Sequence, residues 1–370
     1  MSWVVSLWYD ITMKNFVLTT ENVLPRLSGV VLPWYRQNAR ALPWRETADP
    51  YPIWVSEIML QQTRVAAVLG YYARFLAAFP TVEALAAAPE DQLMKLWEGL
   101  GYYSRARNLQ KAAKLVAERG TFPDTYEGLL ALPGVGDYTA SAIASAAFGR
   151  REAAVDGNVL RVVMRLLDCP ADIAEPKVKA AVRAAVQAVM PEEEGDIRIF
   201  NQAMMELGAT VCAPNGEPKC SICPGKDFCL AHQRGTAMTL PVKKPKKARR
   251  TEEKTVYVLV KEGKAALRQR GDEGLLAGLW EFPNVPGTLE EQDAPGPLKE
   301  WGLVPKAWKK KLTAKHIFTH VEWHMTGYVL EVEGEGPFLW ADAAELTAHA
   351  VPSAFGKFYA EAQRALAKED

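Results

Sequence analysis

The sequence has no net charge, because 44 lysine and arginine residues balance 44 aspartate and glutamate residues. A uniformly basic surface is therefore excluded, and any case for nucleic-acid binding must rest on local features. One basic cluster lies beside two prolines, and we interpret it as a solvated, stiffened linker rather than as a nuclear-targeting signal. It consists of Lys243, Lys244, Lys246, Lys247, Arg249 and Arg250.

The sequence also lacks any apolar run long enough to cross a bilayer. The apolar residues near the N-terminus have no basic leader and are interrupted by Asp10, which argues against a signal peptide. We therefore expect a protein of the bacterial cytoplasm, working at the nucleoid. Residues 1–29 are predicted to be an extension outside the fold, and Met13 is a second candidate for the start of the chain.

Cysteine is scarce, with five residues, yet Cys212, Cys220, Cys223 and Cys229 lie close together in the sequence. Such crowding in an intracellular chain predicts a metal site rather than disulfides. Four thiolates with no histidine in the spacing suit either an iron–sulfur cluster or a zinc ion, and spacing alone does not decide between them. The remaining Cys169 is predicted to be a small buried hydrophobic residue.

Hydrophobic residues make up 49% of the 370 positions, which is enough for two domains. Apolar residues three and four apart predict helices. These are Ser56–Tyr72, Pro89–Trp97, Ser104–Arg119, Tyr138–Phe148 and Val159–Leu167. Alternation later in the chain predicts strands over Thr255–Val260 and Ala265–Arg268, two more within His316–Val332, and then a helix over Pro352–Ala367. We predict an all-α domain (30–233), a basic linker (234–254) and an α+β domain (255–370).

A tight turn, Leu-Pro-Gly-Val-Gly at positions 132–136, separates two predicted helices. Two glycines spaced by one residue can turn amide groups outward beside a helix N-terminus, which binds a DNA phosphate without net positive charge. An ordinary helical hairpin is the alternative. About twenty residues later the chain reads Val-Asp-Gly-Asn at 155–158. Together these motifs resemble the helix–hairpin–helix–Gly/Asp glycosylase superfamily, which implies DNA contacts by Gly134, Val135 and Gly136.

A third motif, Asp-Pro-Tyr-Pro-Ile-Trp-Val-Ser-Glu-Ile-Met-Leu-Gln-Gln-Thr at 49–63, resembles the signature of the MutY-type adenine DNA glycosylases. That family removes adenine paired with 8-oxoguanine or guanine, and the resemblance extends over about residues 30–370. Glu57 lies in the apolar part of the motif, where a carboxyl group should have a raised pKa, as a general acid needs. The alternative is a solvated first-turn glutamate with Ser56 as the helix cap.

The resemblance implies roles for the other catalytic residues. Asp156 would stabilise the oxocarbenium ion or bond to it transiently, in the manner of retaining glycosidases, and it could also cap the helix that follows. Tyr138 and Asn158 match positions that support the intermediate. Endonuclease III-type lyases carry a lysine two residues beyond the second glycine of the hairpin. Here Asp137 and Tyr138 occupy the matching positions, so a monofunctional glycosylase is expected.

The resemblance also implies residues that handle the DNA. Base flipping leaves a hole in the duplex, and Gln62 and Tyr102 match residues that wedge into it. Core packing is the alternative for Tyr102. Thr63 is similar to the residue that contacts the orphaned 8-oxoguanine. Arg40 and Gln202 align with residues that line the adenine pocket.

One [4Fe–4S] cluster, held by the four grouped cysteines, is implied by the same resemblance. The sequence departs from the family in the first gap, 213–219, which holds seven residues where the family usually has six. Asn215 and Gly216 can absorb an extra residue in a turn. The ligand assignment therefore stands.

Residues 255–370 resemble the Nudix-like C-terminal domain of the same family, including Gly-Leu-Trp-Glu-Phe-Pro at 278–283. The acidic helix of Nudix hydrolases is missing from the sequence, and the acidic run at 287–291 is the nearest substitute, so pyrophosphatase activity is the weaker expectation. The segment Phe318, Thr319 and His320 resembles the Phe-Ser-His loop that reads 8-oxoguanine. Threonine keeps the hydroxyl group of serine but adds a methyl group.

Three histidines four residues apart, His316, His320 and His324, also invite a metal-site interpretation. On a strand, four residues span roughly 13 Å, so a shared ion is out of reach. The predicted partner is double-stranded DNA with an A:8-oxoG or A:G mispair, bound by a monomer. The competing functions are an endonuclease III-like glycosylase/lyase, a Nudix hydrolase and a non-catalytic lesion-binding protein.

Overall fold

The computed structural model describes residues 23–244, 248–271 and 273–367. The alternative start at Met13 and most of the predicted N-terminal extension lie outside the described residues. Contacts divide the chain into two units. The first contains the described residues of Met1–Val65, Thr81–Ala86 and Lys111–Pro245, and the second contains those of Ala66–Pro80, Ala87–Gln110 and Lys246–Asp370.

The part of the chain before the linker is helical, as predicted. Its helices are α1 (Leu27–Asn38), α2 (Pro50–Leu60), α3 (Val65–Ala78), α4 (Val82–Ala87), α5 (Glu90–Trp97), α6 (Ser104–Arg119), α7 (Tyr126–Leu130), α8 (Asp137–Phe148), α9 (Gly157–Leu166), α10 (Pro176–Ala188), α11 (Glu194–Thr210) and α12 (Leu230–Arg234). The predictions for α5, α6 and α8 are confirmed to within one residue at the helix start and end, and that for α9 to within two.

The prediction of one helix over Ser56–Tyr72 is wrong, because α2 ends at Leu60 and α3 begins at Val65. Gln62 between them has a φ of 59°. A residue in the left-handed region cannot continue a right-handed helix. The apolar pattern continues across the break because both helices bury one face.

The core of the first unit lies around α9, whose residues 159–166 are all buried. This helix packs against α11. Leu24 and Leu27 are fully buried in the same cluster, so the prediction that residues up to 29 lie outside the fold is wrong for residues 23–29. Cys169 is 1% exposed there, which confirms it as a buried hydrophobic residue. Burial of α9 on all sides fixes the position of its N-terminus, where Asp156 lies.

The second unit contains a seven-stranded sheet of order β3-β2-β1-β6-β5, with β4 paired to β1 and β7 to β2. Its strands are β1 (Arg250–Lys261), β2 (Lys264–Gln269), β3 (Trp280–Glu281), β4 (Asn284–Pro286), β5 (Val304–Ile317), β6 (Val321–Glu333) and β7 (Leu339–Ala341). Its C-terminal helices are α13 (Pro295–Glu300), α14 (Ala343–Ala348) and α15 (Gly356–Leu366). Strands β1 and β6 are parallel, while β5 and β6 form an antiparallel hairpin.

Alternation along β1 builds two cores, one on each face of the sheet. Val256 and Val258 belong to the cluster that includes Phe358 of α15. Tyr257 and Leu259 belong to the cluster that includes Leu298 of α13. The sheet is therefore covered on both faces, which agrees with the predicted α+β class.

Strand β5 begins twelve residues before the predicted strand region, so that boundary was wrong. Lys309, Lys310 and Lys311 interrupt the apolar alternation on which the prediction relied. The strand lies at the edge of the sheet, where lysines discourage pairing with other chains. Lys309 and Lys310 pair with Glu331 and Glu361. Among the described residues, no helix is long and apolar enough to span a membrane.

Candidate active site

A cavity of about 740 Å³ in the first unit brings together most of the predicted site residues. This volume lies in the range of small-molecule sites. The cavity is lined by residues of α2, α8 and α11 and by the N-terminus of α9. Predicted residues on its wall are Glu57, Tyr138, Asp156, Asn158, Gln62, Thr63, Gly136, Arg40 and Gln202.

Glu57 lies in the middle of α2, not in its first turn. The helix begins at Pro50, and its cap is Asp49, whose side chain accepts a hydrogen bond from the Tyr51 amide. Ser56 is buried and donates to the Ile53 carbonyl oxygen, so it does not cap the helix. The alternative interpretation of Glu57 as a solvated first-turn residue is therefore wrong.

The carboxyl group of Glu57 is buried and has a raised pKa. Its Oε2 atom is buried and has no hydrogen-bond partner among the described residues. Burial raises the pKa of Glu57 to about 7, although a hydrogen bond with Tyr138 lowers it; Asp156 adds a smaller upward effect and Arg45 a smaller downward one. Both protonation states are therefore populated near pH 7, which is what acid catalysis at neutral pH requires.

Asp156 caps α9, as the alternative interpretation of this residue predicted. Its Oδ1 atom accepts from the amides of Asn158 and Val159, each at 2.8 Å, and its Oδ2 atom accepts from the Asn158 side chain at 2.6 Å. Burial raises the pKa of Asp156, while these hydrogen bonds lower it. These capping hydrogen bonds fix the carboxyl group at the N-terminus of α9, where it lines the cavity.

Tyr138 is the second residue of α8, and burial raises the pKa of its hydroxyl group well above the ordinary value of 10. The hydroxyl group donates a hydrogen bond to the sulfur of Met205 on α11 at 3.0 Å. Met205 also lines the cavity. The sequence analysis did not identify Met205, and its place among the apolar residues of α11 gave no signal.

An ion cluster on the cavity wall includes Arg40, which was predicted to line the pocket, together with Arg45 and Glu206, which were not identified. Glu206 is fully buried and accepts two hydrogen bonds from the guanidinium group of Arg40, at 2.6 and 2.7 Å, and one from Arg45 at 2.8 Å. Burial alone would raise the pKa of Glu206, but the two guanidinium groups outweigh it and the pKa is lowered. Gln202, one turn earlier on the helix, accepts from the Tyr35 hydroxyl at 2.7 Å. The sequence signal that could have identified Glu206 was its position as a single acidic residue in the apolar C-terminal part of α11.

The predicted hairpin joins α7 to α8. Gly134 has a φ of 78°, and Gly136 is the N-cap residue of α8. The Val135 amide donates back to the Leu132 carbonyl oxygen, which closes the turn. Because Gly136 also lines the cavity, the hairpin and the carboxyl groups belong to one site.

The four grouped cysteines line a second, smaller cavity between α9, α11 and α12. Arg165 donates to the sulfur of Cys212 at 3.3 Å. Burial raises the pKa of Cys223 to about 12. In the described part of the chain, no group of three or more histidine, cysteine or acidic side chains has the spacing of a single-ion site.

The second unit brings Tyr102 to the predicted lesion-reading turn. The hydroxyl oxygens of Tyr102 and Thr319 are 2.6 Å apart. Tyr102 has a φ of 49° and is 43% exposed, so core packing does not explain it. The guanidinium group of Arg105 stacks over its ring and donates to the carbonyl oxygens of residues 100 and 101. Tyr102 is therefore presented outward on a braced loop.

Two contacts hold the turn between β5 and β6 in place. The ring of Phe318 packs edge-on against Trp323, with centroids 4.8 Å apart, and Arg249 donates to the Phe318 carbonyl oxygen. His316 lies on β5 and His324 on the neighbouring strand β6, where His324 pairs with Glu322. His320 lies in the turn itself, between the two strands.

Two families match separate parts of the chain. Residues 55–188 match the HhH-GPD superfamily base excision DNA repair protein family, and residues 255–361 match the NUDIX domain. The adenine DNA glycosylase of Homo sapiens is 37% identical and covers 90% of this chain and 73% of its own. That of Buchnera aphidicola subsp. Baizongia pistaciae is 33% identical, covering 81% and 83%. A thermostable thymine-DNA glycosylase structure, 28% identical, covers 58% of this chain and 100% of its own with a TM-score of 0.51.

Proposed function

Because this chain belongs to the adenine DNA glycosylase family, we propose that it hydrolyses the N-glycosidic bond of adenine mispaired with 8-oxoguanine or guanine in duplex DNA. The observation that carries the proposal is the pair of carboxyl groups, Glu57 and Asp156, on the wall of one cavity. Their surroundings differ, since Glu57 has an unpaired buried oxygen whereas Asp156 is held by three hydrogen bonds. Two carboxyl groups in different surroundings can take different roles.

Glu57 is the general acid of the proposed reaction. Adenine is a poor leaving group until its imidazole ring is protonated, and a carboxyl group with a pKa of about 7 can supply that proton at neutral pH. Such catalysis contributes ~10²–10⁴-fold, or roughly 3–5 kcal/mol. A second group must therefore stabilise the cationic sugar that forms as the base departs.

Asp156 is that second group. As a carboxylate it stabilises the positive charge of the oxocarbenium ion, or bonds to it transiently before water completes the hydrolysis. Its bonds to the α9 amides hold it in place throughout. Asn158 donates to the Asp156 carboxylate and helps to keep its position, and Tyr138 lines the same cavity.

The cavity also fits the adenine base. Gln202 and Arg40 lie on its wall, and Arg45 and Glu206 extend the same polar edge. We assign this edge to recognition of the flipped base. None of the residues lining the cavity, all within the described chain, is a lysine. The cavity wall therefore offers no lysine amine that could form a Schiff base with the sugar. This supports a monofunctional glycosylase over a lyase.

The proposed cofactor is one [4Fe–4S] cluster, held by Cys212, Cys220, Cys223 and Cys229. The four thiols share one cavity, and Arg165 directs positive charge at one of them, which suits thiolates bound to an iron–sulfur cluster. The cluster would stabilise the loop between α11 and α12. No chemical step of base removal needs it.

The DNA contacts are assigned to the two units separately. In the first, Gly134, Val135 and Gly136 would bind a phosphate, and Gln62 and Thr63 would face the opened duplex. In the second, Tyr102 would enter the duplex while Phe318, Thr319 and His320 read 8-oxoguanine. The hydrogen bond between Tyr102 and Thr319 supports this grouping. We propose that the chain acts as a monomer, with a catalytic domain at 30–233, a linker at 234–254 and a lesion-reading domain at 255–370.

The test is a single-turnover assay on duplex oligonucleotides with adenine opposite 8-oxoguanine, guanine or thymine. We expect strand breaks only after alkali, fastest opposite 8-oxoguanine and absent opposite thymine. Breaks without alkali would indicate an endonuclease III-like lyase. Binding without any loss of adenine would indicate a lesion-binding protein.

A further inference from the structure

The lesion-reading turn, which we define as Phe318, Thr319 and His320, is held by the end of the basic linker. We propose that Arg249 is a positioning residue for this turn: its Nε–H holds the Phe318 carbonyl oxygen, and the outer edge of its guanidinium group binds a phosphate of the strand that carries 8-oxoguanine. The inference rests on the proposed function, because it concerns the turn proposed to read the lesion. It assigns a specific role to a segment whose sequence alone indicates a solvated spacer.

The topology of the sheet brings the end of the linker to the turn. Strands β1 and β6 are parallel, and their first residues, Arg250 and Val321, are partners in the register. The residues that precede two parallel strands in register lie at the same end of the sheet. Arg249 precedes β1 and the lesion-reading turn precedes β6. The two therefore meet, although Arg249 and Phe318 are 69 positions apart in the sequence.

Two consecutive residues of the linker hold two carbonyl groups of the turn. The Nε atom of Arg249 donates to the Phe318 carbonyl oxygen at 3.1 Å. The backbone amide of Arg250 donates to the His320 carbonyl oxygen, also at 3.1 Å. Because a peptide group is planar, fixing the Phe318 carbonyl oxygen also fixes the amide of Thr319. The side chain proposed to read the lesion therefore projects from a backbone that is held on both sides.

The guanidinium group of Arg249 keeps donors for a second partner. A guanidinium group has five N–H donors in one plane, and the contact with Phe318 uses the one on Nε. Arg249 is exposed, and its terminal nitrogens have no hydrogen-bond partner in the part of the chain that the structure describes. Two parallel N–H groups on these nitrogens have the geometry that binds a phosphate in bidentate fashion. The neighbouring Arg250 instead pairs its guanidinium group with Glu252.

One planar group that binds both partners links the DNA backbone to the turn. Phosphate contacts set the register of a protein on a duplex, and base contacts read the sequence within that register. Because the guanidinium group of Arg249 is rigid, a phosphate bound at its outer edge lies at a fixed distance from the Phe318 carbonyl oxygen. Loss of Arg249 should therefore weaken lesion preference as well as affinity. A cation that only attracts DNA would instead affect duplexes with 8-oxoguanine and with guanine equally.

The first experiment uses the full chain and duplexes with 8-oxoguanine or guanine opposite adenine. It measures the single-turnover rate of adenine removal and the salt dependence of duplex binding. In Arg249→Met, which removes every donor and keeps an unbranched side chain, we expect the preference for 8-oxoguanine to fall by about three- to tenfold, the usual effect of one hydrogen bond. The slope of log affinity against log salt concentration should become shallower by about one, because one phosphate contact is lost.

Lys243→Met is the matched control, because Lys243 is an exposed cation earlier in the same linker. Its preference for 8-oxoguanine should equal that of the wild type. If Arg249→Met binds DNA more weakly but keeps the full preference, Arg249 is only a general contact for DNA charge and the positioning role is wrong. If its salt slope equals that of the wild type, the phosphate contact is wrong.

The second experiment measures hydrogen exchange of residues 316–324 in the full chain without DNA. The Phe318 amide donates to the Val321 carbonyl oxygen at 2.8 Å, so its exchange reports on the stability of the turn. We expect this exchange to be about three- to tenfold faster in Arg249→Met and unchanged in Lys243→Met. Equal exchange in Arg249→Met and the wild type would contradict the hold on the turn. Because this measurement needs no activity, faster exchange in a chain that removes no adenine would reject the proposed function and not this contact.

Discussion

Tyr102 and Thr319 are separated by 217 positions in the sequence, yet their hydroxyl oxygens lie 2.6 Å apart. The contact joins the loop before α6 to the turn between β5 and β6, within one contact unit. Both residues match positions to which the sequence resemblance assigns DNA contacts. The residue proposed to wedge the duplex and the residue proposed to read the lesion are therefore positioned together.

Loss of the Thr319 hydroxyl group should weaken lesion preference. In Thr319→Ala we expect the preference for 8-oxoguanine over guanine opposite adenine to fall by about 1–3 kcal/mol, the usual discrimination from a polar contact to a base edge. The measurement is the ratio of single-turnover rates on the two duplexes. Thr319→Ser is the control, since it keeps the hydroxyl group and should retain the preference. If both variants retain it in full, Thr319 does not read the lesion.

Either carboxyl substitution should abolish base removal. Glu57→Gln removes the proton donor, and Asp156→Asn removes the charge while keeping a side chain that caps helices well. We expect the single-turnover rate to fall by at least ~10²-fold in each variant, with duplex binding retained in gel-shift titrations. A variant that still excises adenine at the wild-type rate would remove that residue from the mechanism.

Ionisation of Glu57 should lower the free energy of unfolding as the pH rises. Its folded-state pKa of about 7 lies above the ordinary value of 4.5, so the folded protein binds the extra proton and loses stability as pH rises between these values. Glu57→Gln removes the group, and its unfolding free energy should exceed that of the wild type above pH 7 by up to about 3 kcal/mol. Denaturant unfolding at pH 4.5 and pH 8 tests this. An equal difference at both pH values would contradict the raised pKa.

Metal analysis should identify the cofactor. Because four thiols share one cavity, we expect anaerobically purified protein to be brown and to contain iron and acid-labile sulfide in equal amounts. Cys223→Ser should lower the iron content. Stoichiometric zinc without iron would instead establish a Cys₄ zinc site, which the spacing of the cysteines along the sequence also allows.

The sequence by itself determined much of this protein. Local signals were sufficient for α5, α6, α8 and α9, for the Gly134–Gly136 turn and for the cap at Asp156, because periodicity, turn residues and caps act over a few positions. The apolar neighbours of Glu57 likewise predicted a raised pKa. The same local reasoning extended one helix across Gln62, because a left-handed residue leaves no mark in an apolar pattern.

Only the tertiary structure decided which distant residues meet. Arg40 lies 166 positions from Glu206, and Tyr138 lies 67 positions from Met205. Nothing in the local pattern distinguishes Met205 from Met204, yet one lines the cavity while the other is buried in the core. Their faces differ because successive residues on a helix point about 100° apart, and the packing of α11 against its neighbours selects which face meets the site.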